Sequence, residues 1–312
     1  MRISSASRRD VSVITRSYVA LARHATPRAM TLHCSWRDMM REAAQRLASA
    51  GVENAPRDAR LLLAHALGIE PVDVILRETD SIDIGALTDF EQAVQRRLRG
   101  EPVSRIRGWR EFYGRRFTVT SDVLDPRPET ELLVEQGLNR LPRGGRVLDL
   151  GTGSGCILLS VLAESQDAAG TGLDISRPAL AVARRNAEAL GVSSRVTFIE
   201  AGWSGVYGGP FDLVMSNPPY IPEADIAGLA MDVRGYDPHL ALTPGGDGLD
   251  PHRAILKGMP GWLKPGGCIG FEFGIEQAAA VTMMMRQAGL LDIKIYHDLA
   301  GIARAAFGRR AA

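Results

Sequence analysis

Apolar positions between residues 33 and 100 recur at helical spacing. Trp36, Met39, Met40, Ala43, Ala44 and Leu47 fall on one face of a helix that Gly51 ends. Ala59, Leu62, Leu63, Ala66 and Leu67 form the stripe of a second helix, stopped by Gly68. Thr88 and Glu91 have the T-x-x-E spacing of a capping box, which predicts a third helix opening there and running through Phe90, Val94 and Leu98 to Gly100. Three or four short helices of this kind make a small bundle over residues 33–101. The texture then changes. Residues 102–122, PVSRIRGWREFYGRRFTVTSD, mix glycines, aromatics and a short alternating segment, and are read as a hairpin linker.

From residue 123 to the C-terminus, strands and helices alternate. RVLDL (146–150) reads as a strand, Ser154 to Glu164 as a helix and TGLDI (171–175) as a strand. Pro178 to Leu190 reads as a helix with Ser176 as its N-cap and Gly191 as its stop. RVTFIE, FDLVMS and CIGFEF add three strands, and a helix spans Ile275 to Ala288. LDIKIYHDL and RAAFGRR follow with no helix between them. Alternation of this kind predicts an α/β, doubly wound, Rossmann-like parallel sheet, and the last two strands predict an antiparallel end to it.

Composition limits the function classes. The 312 residues exceed one typical domain, which suits a main domain of residues 123–312 beside the smaller bundle. A formal charge of +1 gives no strong overall pull toward nucleic acid or membrane. Every apolar run is far shorter than the about 20 residues of a membrane-spanning helix. Cys34, Cys156 and Cys268 stand apart with no C-x-x-C pair, which argues against a zinc site and suits a reducing cytoplasm. The first 30 residues are rich in arginine and serine with Asp10 the single acid. That is the composition of a mitochondrial or other organellar transit peptide, but a disordered tail or an upstream start codon before Met30 is the preferred reading, with the organellar one as its alternative. Charge in the bundle is polarised, with seven acidic groups between residues 70 and 91 and eight arginines between 95 and 116. Two solvated faces explain such runs, and a docking surface for a partner is the sharper alternative.

The candidate chemistry lies at strand ends. RVLDL runs into DLGTGSG (149–155), where glycines allow a tight turn that brings backbone N–H groups and a helix N-terminus against a ligand. A dinucleotide fingerprint would place a third glycine where this chain has Cys156. The G-x-G-x-G form resembles motif I of S-adenosylmethionine-dependent methyltransferases. Asp174, ending the next strand, is placed to accept hydrogen bonds from two ribose hydroxyls. SNPPYIP (216–222) ends the strand FDLVMS on the same sheet edge, where doubly wound sheets bind ligands. N-P-P-Y resembles motif IV of methyltransferases acting on planar nitrogen, adenine-N6 and amide enzymes alike.

The residue types suit that reaction. An amide or aryl-amine nitrogen is a poor nucleophile because its lone pair is delocalised. If the Asn217 side-chain oxygen and the Pro218 carbonyl each accept one N–H, the nitrogen can pyramidalise and aim a localised lone pair at a methyl group. The same carbonyl dipoles stabilise the positive charge that develops on nitrogen. Tyr220 offers an aromatic wall, and the prolines hold the geometry.

GWREFYGRRF (108–117), DPRPETELLVE (125–135), VLDLGTGSG and NPPYIP, in this order after a helical domain, resemble the release-factor glutamine methyltransferases, the HemK or PrmC family. The likeness covers nearly everything from about residue 35 onward, and R-P-E-T-E at 127–131 is its most specific part. The resemblance implies a class I S-adenosylmethionine-dependent methyltransferase fold and N(5)-methylation of the glutamine in the G-G-Q motif of class I peptide chain release factors. It implies cofactor contacts from Gly151, Thr152, Gly153, Ser154, Gly155, Asp174, Trp203 and Asn217, with Glu129 and Thr130 near the methionine end. It implies substrate contacts from Asn217, Pro218, Pro219, Tyr220 and Phe112, with Asn217 and Pro218 catalytic, no metal, and the bundle recognising substrate. Two departures stand out: Gly202 replaces the acid that usually precedes the tryptophan, removing a side-chain acceptor for the adenine amino group, and Asp125 replaces an aliphatic residue. Adenine-N6 methylation of DNA or RNA, and methylation of a ribosomal-protein glutamine, are the competing readings. The first would need a cationic surface and a way to present an unstacked base.

Overall fold

The computed structural model describes residues 35–203 and 208–312. The N-terminal segment whose composition suits a transit peptide lies outside them. The chain divides into two compact units, Met1–Arg107 and Gly108–Ala312.

The described part of the first unit holds five helices: α1 (Trp36–Ser49), α2 (Ala55–Leu67), α3 (Pro71–Leu76), α4 (Ile84–Leu98) and α5 (Val103–Arg107). The predicted stripes form its core, with Trp36, Met39, Ala43 and Leu47 of α1 packed with Leu62, Leu63, Phe90 and Val94. Gly68 ends α2 in the left-handed region at φ 65°. One expectation fails. Asp83, not Thr88, caps α4, accepting from Ala86 N at 2.9 Å. Thr88 sits one turn inside, where its hydroxyl donates to Ile84 O, and Glu91 pairs with Arg46 at 2.6 Å. The apolar residues Ile84 and Leu87 extend the helix one turn upstream and leave the T-x-x-E pair in its interior. Part of the acidic run is paired within the unit, Glu78 to Arg37 and Asp80 to Arg77.

In the second unit, a hairpin of β1 (Trp109–Phe112) and β2 (Arg115–Thr118) precedes a 3-10 turn at Pro128–Thr130 and α6 (Glu131–Leu138). The hairpin is part of this unit's core, where a linker was expected. Phe112 and Phe117 meet edge to face at 6.0 Å and pack with Leu133, Val134 and Ile157. Then come β3 (Arg146–Leu150), α7 (Cys156–Glu164), β4 (Ala169–Asp174), α8 (Arg177–Ala189), β5 (Val196–Glu200) and β6 (Phe211–Ser216). Three short helices follow, α9 (Met231–Arg234), α10 (His239–Leu242) and α11 (Asp250–Gly258), which the sequence pattern did not announce. The chain finishes with β7 (Leu263–Glu272), α12 (Ala278–Gln287), β8 (Leu290–His297) and β9 (Ala303–Arg310). Ser176 caps α8 as predicted, accepting from Ala179 N at 3.2 Å.

The seven strands from β3 onward form one sheet in the order β5-β4-β3-β6-β7-β9-β8. β3 through β7 run parallel, and β9 pairs antiparallel with both β7 and β8, as the two unseparated strand patterns predicted. Strand order reverses between β4 and β6 on either side of β3. The crevice beyond the C-terminal ends of these strands is therefore the place for a ligand. Ser216 Oγ donates to Leu150 O at 2.7 Å, locking the ends of β6 and β3 together there.

Asn186 of α8, buried to 1% exposure, ties the hairpin to this edge. Its Oδ1 accepts from Thr118 N at 2.8 Å, while Nδ2 donates to Thr118 O at 3.1 Å and Ser154 O at 2.9 Å. Asn186→Ala strands three backbone groups away from water and should cost ~3 kcal/mol. A chemical denaturation midpoint within error of the wild type would refute this anchoring role.

Candidate functional site

The turn after β3 is built from its hydrogen bonds outward. Thr152 N donates to Leu173 O and Gly155 N to Thr152 O, both at 2.7 Å, so the turn is tied to β4 and closed on itself. Gly151 is required twice over. Its φ is 74°, and a Cβ there would lie 2.9 Å from the ring of Trp203. Gly155, at φ 81°, starts α7.

Asp174 at the end of β4 orders both sides of the crevice. One carboxylate oxygen accepts from Gly153 N and the other from Ser176 N, each at 2.9 Å. A carboxylate oxygen has a second lone pair, so both remain able to accept a ligand hydroxyl. Burial raises its pKa, and these backbone N–H bonds oppose the shift. Asp149, inside β3, is fully buried; burial pushes it up to about 7, against the Thr152 hydroxyl bond at 2.7 Å.

Across the crevice, Asn217 follows β6. Its Nδ2 donates to Thr130 Oγ1 at 3.1 Å, which turns Oδ1 away from the 3-10 turn that carries Thr130. Neither this oxygen nor the Pro218 carbonyl accepts a hydrogen bond from a described residue. The next residue but one is clamped. Gln277 Nε2 donates to Tyr220 O at 2.9 Å, and a Cβ on Gly248, at φ 79°, would lie only 2.1 Å from that same oxygen. Tyr220 OH donates to Glu272 Oε1 at 3.3 Å. Glu272 is 2% exposed, and burial raises it to about 7, with the hydroxyls of Thr130 and Tyr220 acting in the opposite direction.

Two cavities meet at Asn217. The larger, about 470 Å³, is lined by the glycine turn, Asp174, Trp203, Thr130, Asn217 and Pro219. The smaller, about 140 Å³, is lined by Asn217, Pro218 and Tyr220 with Leu124, Arg127 and Ile221. Arg127 is held in place by Asp237, at 2.6 Å, and Asp237 also accepts from Asp125 N at 3.1 Å.

Most predicted site residues are brought together. Gly151, Thr152, Gly153, Ser154, Asp174, Trp203, Asn217, Thr130 and Pro219 line the large cavity, and Pro218 and Tyr220 the small one. Gly155 sits behind the wall as the start of α7, and Glu129 lies outside it. Phe112 lines neither cavity. It is 1% exposed in the core against Phe117, because its strand turns alternate residues inward. Gly202 lines the large cavity with open space where a side chain would project. Asp125 is buried with Arg110 at 3.6 Å, so the departure from an aliphatic residue is answered by an ion pair. Sequence reasoning missed the partnership of Arg127 with Asp237 and that of Glu272 with Tyr220. The strand-end position of Glu272, matching those of Asp174 and Asn217, was the available signal. No cluster of metal-ligating side chains occurs among the described residues.

The residues fit S-adenosylmethionine. Asp174 suits a ribose diol, the apolar flank of Ile175 and Trp203 suits a purine, and the glycine turn suits an amino-acid tail.

The raised pKa of Asp149 has a consequence for stability. Its folded value of about 7 exceeds the unfolded value of about 4. Its contribution is therefore full below about pH 4 and lost as pH rises through 7. Asp149→Asn, ligand-free, should gain stability over the wild type between pH 5 and 8 by a few kcal/mol. A gap in melting temperature that does not widen over this range would contradict it.

Residues 38–108 match the family model of the PrmC N-terminal domain, and residues 121–233 that of the methyltransferase small domain. The chain is 48% identical over 264 residues to a release factor glutamine methyltransferase of Cereibacter sphaeroides, covering 85% of this chain and 94% of that protein. It is 46% identical over 275 residues to the enzyme of that name from Rhodospirillum rubrum, covering 88% and 85%. For that of Nitratidesulfovibrio vulgaris the identity is 39% over 287 residues, covering 90% and 97%. The chain belongs to the release factor glutamine methyltransferase family.

Proposed function

We propose that this protein transfers a methyl group from S-adenosylmethionine to the side-chain amide nitrogen of the glutamine in the G-G-Q motif of class I peptide chain release factors. One observation carries the reading: Asn217 is the shared wall of a nucleoside-sized cavity and a small one, with its amide oriented by Thr130. The donor side is the large cavity, with Gly151 to Gly155, Asp174 and Trp203 on the cofactor and Thr130, with Glu129 behind it, near the methionine end. The acceptor side is the small cavity, with Asn217, Pro218, Pro219 and Tyr220 around the glutamine amide.

S-adenosylmethionine supplies an electrophilic methyl on a sulfonium. The protein supplies position and polarity. Asn217 Oδ1 and the Pro218 carbonyl each take one N–H of the glutamine amide, fixing both hydrogens and localising the lone pair toward the donor. As the N–C bond formed and the S–C bond to the methyl broke, leaving the neutral thioether, both carbonyl dipoles would stabilise the positive charge growing on nitrogen. The N-alkylated amide is then acidic enough to lose its proton without a strong base. Pro218 and Pro219 lack backbone donors, so neither supplies an N–H that would compete for the Asn217 and Pro218 oxygens.

The helical unit, residues 33–101 by sequence, is read as the body that recognises the release factor. No helix among the described residues is long and apolar enough to cross a membrane.

Purified protein with labelled S-adenosylmethionine should methylate a release factor at its G-G-Q glutamine, located by peptide mass spectrometry. Asn217→Ala should lower transfer by at least ~10²-fold while binding of S-adenosylhomocysteine stays measurable. Label entering DNA or RNA and sparing the release factor would sink the proposal.

A further inference from the structure

The side chains that line the small cavity include three polar ones, Arg127, Asn217 and Tyr220. The Tyr220 hydroxyl gives its proton to Glu272 Oε1 at 3.3 Å, and the Asn217 NH2 is turned to Thr130 at 3.1 Å. Arg127 differs. Its Nη2 donates to Asp237 Oδ2 at 2.6 Å, the one hydrogen bond it makes to a described residue, and a guanidinium carries several further N–H groups. The Arg127 side chain is 33% exposed and that of Asp237 1%. Asp237 is fixed in turn by Asp125 N, which donates to Oδ1 at 3.1 Å. A buried carboxylate therefore holds a guanidinium in the cavity wall with donors to spare.

A primary amide brings two N–H groups and a carbonyl oxygen. Asn217 Oδ1 and the Pro218 carbonyl suit the N–H groups. The oxygen is drawn into the same small cavity and loses its water, which is costly unless a donor replaces it. Pro218 and Pro219 have no N–H to offer.

We propose that Arg127 is a specificity-determining residue for the substrate: its guanidinium donates to the side-chain carbonyl oxygen of the glutamine, and Asp237 positions it for that contact. The cavity then presents two acceptors and a cationic donor, the complement of a primary amide. A glutamate carboxylate in the same place would meet Arg127 with one oxygen and press the other on the Asn217 and Pro218 oxygens with no proton to give. A flipped glutamine amide would turn its NH2 on the guanidinium. The inference rests on the function proposed above.

This contact belongs to binding and not to the chemical step. In a planar amide, delocalisation places negative charge on oxygen, and that charge is what a guanidinium N–H binds. It is withdrawn as nitrogen pyramidalises and takes the methyl group. The bond is therefore no stronger in the transition state than before it, and its loss weakens substrate binding without slowing bound substrate. Asp237 has a second use here. Arg127 also lines the large cavity, so a cationic cofactor there meets an ion pair and not a bare cation.

The test is steady-state kinetics of release-factor methylation by the full chain. Arg127→Met, which keeps the length and loses every donor, should raise KM for the release factor about tenfold or more, with kcat within about threefold of wild type. Its Kd for S-adenosylhomocysteine, by calorimetry, should hold within about twofold, because the contact is to substrate. Arg127→Lys keeps a cation without the planar fork and should raise KM at least about threefold, which carries the test if the methionine variant fails to fold. Asp237→Asn should raise KM in the same manner, with kcat kept. An Arg127 variant whose KM stays within about twofold of wild type, or whose loss falls on kcat, overturns the inference alone. So does a variant that weakens S-adenosylhomocysteine about tenfold and keeps KM for the release factor, since Arg127 would then serve the cofactor carboxylate. A wild type that labels no release factor overturns the proposed function and this inference together.

Discussion

The catalytic unit depends on the register of its parallel strands. Pairing of Leu150 with Leu173, and of Ser216 with Phe271, ends β3, β4, β6 and β7 at one level. The glycine turn, Asp174, Asn217 and Glu272 therefore arrive at one edge from four separate stretches of chain. The Ser216 hydroxyl bond to Leu150 O fixes the middle pair. A one-residue slip in any of these ladders would turn the strand's side chains to the opposite face and remove a member of the site. The helices that cover the sheet hold this level in turn. Trp262, Phe211 and Phe271 pack on one side, and Leu133, Leu158 and Phe307 on the other.

Much of this was legible in the residue pattern because it obeys local rules. Strands buried on both faces appear as short apolar runs, and each glycine or acid that follows marks a strand end. The antiparallel finish was readable because no helical period separates the last two strand patterns. Ser176 announced its own capping role. Where the reading failed, tertiary context overruled a local signal. Thr88 and Glu91 have the spacing of a cap, but Asp83 caps the helix one turn upstream and Leu87 is buried, which leaves the pair in its interior. Phe112 sits beside motif residues in sequence and inside the core in space, since the hairpin packs its inward face on α6 and α7.

The segment between β6 and β7 was the least legible. Its helices α9 and α10 have four residues each, too short to be stable alone, and carry no amphipathic period to detect. They exist because the surrounding chain holds them: Ile221 N donates to Leu242 O, and Asp237 grips Arg127. Likewise, nothing in a single sequence states that Glu272 lies beside Tyr220, 52 residues earlier. Strand order makes them neighbours, and strand order is a property of the whole sheet.

The Arg127–Asp237 pair also speaks to the sequence of assembly. Its partners are separated by 110 residues, so the pair closes a loop that contains β3, β4, β5 and β6. Closing that loop before the sheet exists would cost chain entropy with little return, whereas the formed sheet brings the two ends together. Arg127 lines both cavities, so a chain caught with its sheet complete but this clasp open would lack a wall of each.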